Sequence, residues 1–93
     1  MTETILSRPQ LAPGVRLRWD DVRRRHVLLY PEGALTLNET AADVLELCDG
    51  ERTIDDIAQE LSSRYDGTDV RADVERLVGA IAGRGLVVDA DGS

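Results

Sequence analysis

Ninety-three residues with 18 acids against 11 arginines and no lysine give a formal charge of −7, and a chain this short has room for one domain with one core. That leaves little space for a deep enzyme cleft. The acidic body also argues against nucleic acid, whose binding draws most of its affinity from phosphate neutralisation, and one cysteine with one histidine supplies neither an intrachain disulfide nor a zinc ligand set.

Residues 1–14 are expected to be a flexible tail, because Pro9, Pro13 and Gly14 interrupt any regular element, although Leu11 could still pack on the domain. The start of the chain has no apolar core of a signal peptide. No apolar run approaches membrane-spanning length, so a cytoplasmic protein without a membrane partner is expected. The domain itself is expected over residues 15–88, with a second loose tail over 89–93.

Residues 15–19 alternate strictly: Val15, Leu17 and Trp19 share one face, and Arg16 and Arg18 the other. This is the pattern of a half-buried strand. Residues 20–24 have the look of a hairpin connection, and residues 25–30 form a second strand. Arg23, Arg24 and Arg25 cluster near that connection, either as a solvated loop or as a docking point for an acidic partner or ligand. The first 30 residues set six arginines against Glu3, Asp20 and Asp21, whereas residues 31–93 set fifteen acids against five arginines.

Pro31-Glu32-Gly33 has the chemistry of a type I turn. Residues 34–37 then make a short third strand, with Leu35 and Leu37 pointing one way and Ala34 and Thr36 the other. Three strands with tight connections predict an antiparallel meander. Asn38 is a good N-cap for a helix in which Ala41, Val44, Leu45 and Cys48 recur at helical spacing, and Gly50 is the expected C′ residue.

Thr53 with Asp56 three residues on predicts a capping box. Ile54, Ile57, Ala58, Leu61 and Tyr65 give the second helix its inner stripe, and Asp66-Gly67 closes it. Thr68 or Asp69 is expected to cap a third helix whose apolar face is Val70, Val74, Leu77, Val78 and Ile81. Gly85 ends it, and residues 86–88 suggest a final strand or a docked extension. The expected class is α+β, a three-stranded antiparallel sheet followed by three helices.

Little in this pattern can break bonds. Cys48 sits at an apolar helix position beside Glu46 and Asp49, the opposite of the cationic, exposed setting that activates a thiol. His26 has no triad partner. The carboxylates fall on helix N-termini and outer faces. Gly79 and Gly83, on one helix side with Ala72 and Arg76, cost about 1 kcal/mol each against alanine in a helix. They point either to close internal packing or to the floor of a groove beside the third strand. A short sheet edge beside helices can take up an extended peptide, so a binding module is the leading expectation.

Four segments carry a family resemblance: Leu11-Ala12-Pro13-Gly14-Val15-Arg16-Leu17, Val27-Leu28-Leu29-Tyr30-Pro31-Glu32-Gly33, Leu37-Asn38-Glu39-Thr40-Ala41-Ala42 and Leu47-Cys48-Asp49-Gly50-Glu51-Arg52-Thr53. Together they resemble PqqD, the peptide chaperone family of pyrroloquinoline quinone (PQQ) biosynthesis, from about residue 8 to residue 88. The resemblance implies a winged-helix-like fold, the prototype recognition element of ribosomal-peptide modification systems (RiPP systems), with no cofactor and no catalysis. It implies two partners: the precursor peptide PqqA, and the radical S-adenosylmethionine enzyme PqqE, which cross-links a Glu and a Tyr of that peptide.

In the family the peptide adds as an antiparallel strand along the third strand and lies against the third helix. Carried onto this chain, that implies Ala34, Leu35, Thr36 and Leu37 on the strand, and Asp73, Arg76, Leu77, Ala80, Ile81 and Arg84 on the helix. Two other expectations stand beside it. The second and third helices could form the helix-turn-helix of a DNA-binding regulator, although Arg71, Arg76 and Arg84 against Asp73 and Glu75 leave only +1 on the third helix. The N-terminal tail could also exchange between protomers of a homodimer.

Overall fold

The alternation of Leu17 with Arg16 and Arg18 produces the first strand of a meander, and the tight Pro31-Glu32 connection produces its last turn. In the computed structural model, which describes residues 6–91, β2 (Arg16–Asp20), β3 (Arg25–Tyr30) and β4 (Gly33–Thr36) form a three-stranded antiparallel sheet in that order. Leu17 pairs with Leu28, and Leu28 with Leu35, so one face of the sheet delivers these leucines to the core.

Three helices share one core with that face. Helix α1 (Glu39–Glu46) starts where the Asn38 side chain accepts from the Ala41 N–H at 2.7 Å. Helix α2 (Ile54–Arg64) opens with the expected reciprocal pair: Thr53 Oγ1 accepts from the Asp56 N–H, and Asp56 accepts from the Thr53 N–H, both at 3.1 Å. The left-handed pair Asp66-Gly67 closes it. Helix α3 (Arg71–Gly83) packs on α2 and α1, and α1 packs on β2 and β3. Leu28, Leu45, Ile57, Leu61, Val74 and Val78 meet at the fully buried centre. The α+β class and the antiparallel three-stranded meander stand as expected.

The termini differ from expectation. Residues 1–5 and 92–93 lie outside the described residues, but the rest of the expected N-terminal tail is structured. β1 (Pro9–Leu11) pairs antiparallel with β5 (Val87–Asp89), Pro9 against Asp89 and Leu11 against Val87. Pro9 is the first residue of its strand, where a missing N–H is tolerated, and it is buried. Asp89 ties the start of this segment down by accepting from the Ser7 and Arg8 N–H groups. The boundaries at 14 and 89 therefore move: residues 6–14 belong to the folded unit, and Asp89 is a strand residue.

Two caps also differ. Gly50 is not the C′ residue of α1, whose C-cap is Leu47. Gly50 instead donates to the Pro9 carbonyl at 3.0 Å with φ +82°, and a Cβ there would lie 2.7 Å from Gln10 Oε1. Its left-handed backbone and lack of side chain let the α1–α2 connection approach β1. Helix α3 has Val70 rather than Thr68 or Asp69 at its N-cap position, although Asp69 still accepts from the Arg71 N–H at 3.1 Å. Gly85, with φ +80°, follows the Arg84 C-cap as expected.

Candidate functional site

The edge of β4 is where the sheet offers bonds it does not use. Leu37 donates to the His26 carbonyl at 3.0 Å, and the register places Leu28 opposite Leu35 and Tyr30 opposite Gly33. In an antiparallel ladder bonded pairs alternate with non-bonded ones. Gly33, Leu35 and Leu37 therefore spend their backbone groups on β3, while the N–H and C=O of Ala34 and Thr36 point away from the sheet. Among the described residues nothing occupies them. The side chains of Ala34 and Thr36 are exposed, Leu35 is half-buried and Leu37 is buried. The edge thus presents two donors and two acceptors above an apolar foundation.

The helix residues divide by burial. Asp73, Arg76, Ala80 and Arg84 are exposed and Leu77 is half-buried, whereas Ile81, 5% exposed, is a core residue. Ile81 and Leu37 can support a ligand from beneath but do not face one. At 3.6 residues per turn, Asp73, Arg76, Leu77, Ala80 and Arg84 share one flank of α3.

Gly79 and Gly83 do not lie on that flank. They line a concavity of about 660 Å³ on the adjoining side of the helix, together with Leu6, Thr53, Asp55 and Arg71. A methyl group on either glycine would meet no heavy atom within 4 Å. These glycines therefore do not floor a groove beside the third strand: they border the start of α2 and the N-terminal segment. A helical wheel identified the shared side but carried no information about which element that side faces.

The reactive groups are quiet. Cys48 is buried, its Sγ set against the Val44 carbonyl at 3.4 Å, and burial, with a smaller effect of Asp49, pushes its thiol up to about 12. The Tyr65 hydroxyl donates to Asp43 at 2.5 Å, which raises the phenol above its ordinary value. Asp49 accepts from the Glu51 and Arg52 N–H groups and is held below the usual carboxylate range, first by the Glu51 bond. Among the described residues no three His, Cys, Asp or Glu side chains gather as metal ligands, and no helix is long and apolar enough to cross a membrane.

The sequence reading passed over one feature. At the Thr36 end of β4 lies a second concavity, of about 470 Å³, walled in part by Trp19 and His26. Their rings meet edge-on with centroids 5.0 Å apart, and Trp19 is 51% exposed. The strict alternation over residues 15–19 assigned Trp19 to the core face. It lies on that face, but beyond the end of the core.

Comparison with known proteins places these features in a family. The model for coenzyme PQQ synthesis protein D (PqqD) matches residues 25–87. A Methylococcus capsulatus protein named PqqA binding protein is 38% identical over 78 residues, covering 84% of each chain. An Azotobacter vinelandii protein of the same name is 44% identical over 70 residues, covering 74% of this chain and 76% of that one. The bifunctional coenzyme PQQ synthesis protein C/D of Methylorubrum extorquens is 43% identical over 76 residues, which span 80% of this chain and 20% of that protein. Among solved structures, the solution NMR structure of the PqqD truncation of Methylobacterium extorquens PqqCD superposes with a TM-score of 0.75 at 40% identity, over 86% of this chain and 87% of that one. That truncation is described as a functional, stand-alone RiPP recognition element.

Proposed function

The chain belongs to the PqqD family, and from that premise we propose that it is a non-catalytic carrier that takes the PqqA precursor peptide as an added strand on β4 and delivers it to the radical S-adenosylmethionine enzyme PqqE. Relatives are named for binding PqqA, and the superposed structure is a recognition element of the same biosynthetic class. The observation that carries the reading is the open edge at Ala34 and Thr36.

Strand addition uses such an edge directly: main-chain bonds supply affinity and alternate side chains supply selectivity. Four bonds at about 0.5–1.5 kcal/mol each contribute about 2–6 kcal/mol. Apolar anchors against Leu77 and the half-buried Leu35 would add to this, and ordering a flexible peptide offsets about 2–5 kcal/mol. The balance favours a modest affinity, which suits a carrier that must release its cargo.

The helix-turn-helix reading loses ground for an electrostatic reason. Arg71 is bonded to Asp55 and Glu75, and Arg76 lies 3.5 Å from Asp73. On this helix and its C-cap, only Arg84 has no carboxylate beside it among the described residues. Phosphate recognition wants a cluster of uncommitted cations.

An amide chemical-shift map tests the proposal. Adding PqqA alone should move residues 33–37 together with residues 73–84, and adding PqqE should broaden the signals of the bound complex. Shifts confined to residues 53–55, Gly79 and Gly83 would place the peptide on the wrong flank of α3 and end the reading.

A further inference from the structure

The open edge of β4 does not stop at Thr36. It runs into the second concavity, whose wall includes Thr36 itself together with Trp19, Arg24, Arg25, His26 and Glu39. We infer that this concavity is a subsite for a carboxylate side chain of the docked peptide, carried just N-terminal to the segment that pairs with β4. The inference rests on the strand-addition reading, because an antiparallel guest that continues past Thr36 does so with its N-terminal flank.

Charge selects the ligand class. Six of the eleven arginines have a carboxylate: Arg8 has Asp91, Arg23 has Asp20, Arg52 has Asp49, Arg64 has Glu60, Arg71 has Asp55 and Glu75, and Arg76 has Asp73. Among the described residues Arg16, Arg18, Arg24, Arg25 and Arg84 have no carboxylate within ion-pair distance, and of these only Arg24 and Arg25 line this concavity. The nearest acids are engaged elsewhere. Asp20 accepts from the Val22 and Arg23 N–H groups, and Asp21 accepts from Trp19 Nε1 at 3.4 Å.

Glu39 is the one carboxylate on the wall, so two uncommitted guanidiniums outnumber it. The N-terminus of α1, which opens at Glu39, adds its partial positive charge on the same side. Guanidinium also matches a carboxylate in geometry, donating to it through two parallel bonds.

The wall has an apolar side as well. The half-exposed Trp19 ring, held edge-on to His26, offers a flat surface for the aliphatic stem of an acidic residue. The backbone holds the cations here at some cost. Arg24 closes the β2–β3 connection at φ +60°, donating to the Asp20 carbonyl at 2.7 Å. A left-handed position is unfavourable for a non-glycine residue.

Calorimetric titration of the full chain tests the subsite. The titrants are PqqA and a set of PqqA variants in which each Asp or Glu in turn becomes Asn or Gln. One such replacement should weaken binding to the wild-type protein roughly ten- to hundredfold, the range for losing a hydrogen bond to a charged group. The same replacement should leave the affinity of an Arg24→Gln/Arg25→Gln variant unchanged.

The inference is overturned if the double variant binds every peptide as the wild type does. It is overturned equally if the variant is weakened but still responds to each replacement as the wild type responds. An Ala34→Pro variant separates this result from failure of the underlying reading. If Ala34→Pro weakens binding while the arginine variant does not, the edge stands and the subsite falls; if Ala34→Pro has no effect, strand addition itself falls.

Discussion

Proline at position 34 is the sharpest probe of the β4 edge, because it removes one outward N–H without touching a bond the sheet uses. Ala34 is exposed and opposes Leu29 in the non-bonded phase of the ladder. Edge strands accept proline where the N–H faces solvent. The fold should therefore survive Ala34→Pro with a modest drop in melting temperature. The guest strand loses one of four main-chain bonds, about 0.5–1.5 kcal/mol. At 1.4 kcal/mol per decade, that is about a two- to tenfold rise in Kd.

If the guest carbonyl is left dry beside the proline ring, its desolvation adds about 1–3 kcal/mol, and the loss grows to roughly tenfold to a thousandfold. Titration calorimetry with PqqA, paired with a thermal melt, reads both quantities. Leu35→Pro would be a poor substitute. It breaks a bond to Leu28 and displaces a leucine packed on the core, so loss of binding there would report only on folding. A folded Ala34→Pro protein that binds PqqA with wild-type affinity would refute the assignment of β4 as the docking edge.

Other outcomes follow from the same geometry. Gly79→Ala should stabilise the chain by about 1 kcal/mol through helix propensity, since the added methyl meets open space, and it should leave PqqA affinity unchanged; urea melts and titration check the two halves. Val87→Ala should cost about 2 kcal/mol by removing buried methyls from the β1–β5 pair, visible as a lower urea midpoint with the same slope.

Alkali should also destabilise the chain. The folded protein keeps the Cys48 thiol protonated to about 12, against 9.0 for the ordinary group. Between those values the unfolded chain binds fewer protons than the folded one, so stability is fully present below pH 9 and falls as pH rises. Tyr65, raised by its bond to Asp43, acts in the same sense at higher pH. Urea midpoints measured from pH 7 to 11 should decline for the wild type and decline less for Cys48→Ala, which keeps only the Tyr65 contribution.

Local chemistry was legible in the sequence and distant pairing was not. The Thr53–Asp56 box and the Asn38 cap follow from residues within a turn of one another, the meander follows from alternation and short connections between neighbouring segments, and all three are present in the fold. The pairing of Pro9–Leu11 with Val87–Asp89 joins segments almost a chain length apart. Residues 86–88 suggested a final strand or a docked extension, but Pro9–Leu11 has no alternation long enough to announce its partner, and two prolines nearby suggested a tail. Gly50 was recognisable as a glycine that mattered, but its neighbour Gln10 was invisible. Gly79 and Gly83 exposed the limit of a wheel, which ranks residues by angle but cannot name the element across from them. Trp19 was assigned correctly to a face and misjudged in depth, because alternation says nothing about where a core ends.

The separate two-stranded sheet of β1 and β5 has an architectural consequence. It brings the entry and exit of the folded unit side by side, in a sheet distinct from the one whose margin is open at β4. A linker attached at either terminus thus emerges from nearly the same point. Fusing another domain before or after this module should hold that domain in much the same place relative to the cargo, so gene order in a fusion need not dictate how a precursor is presented.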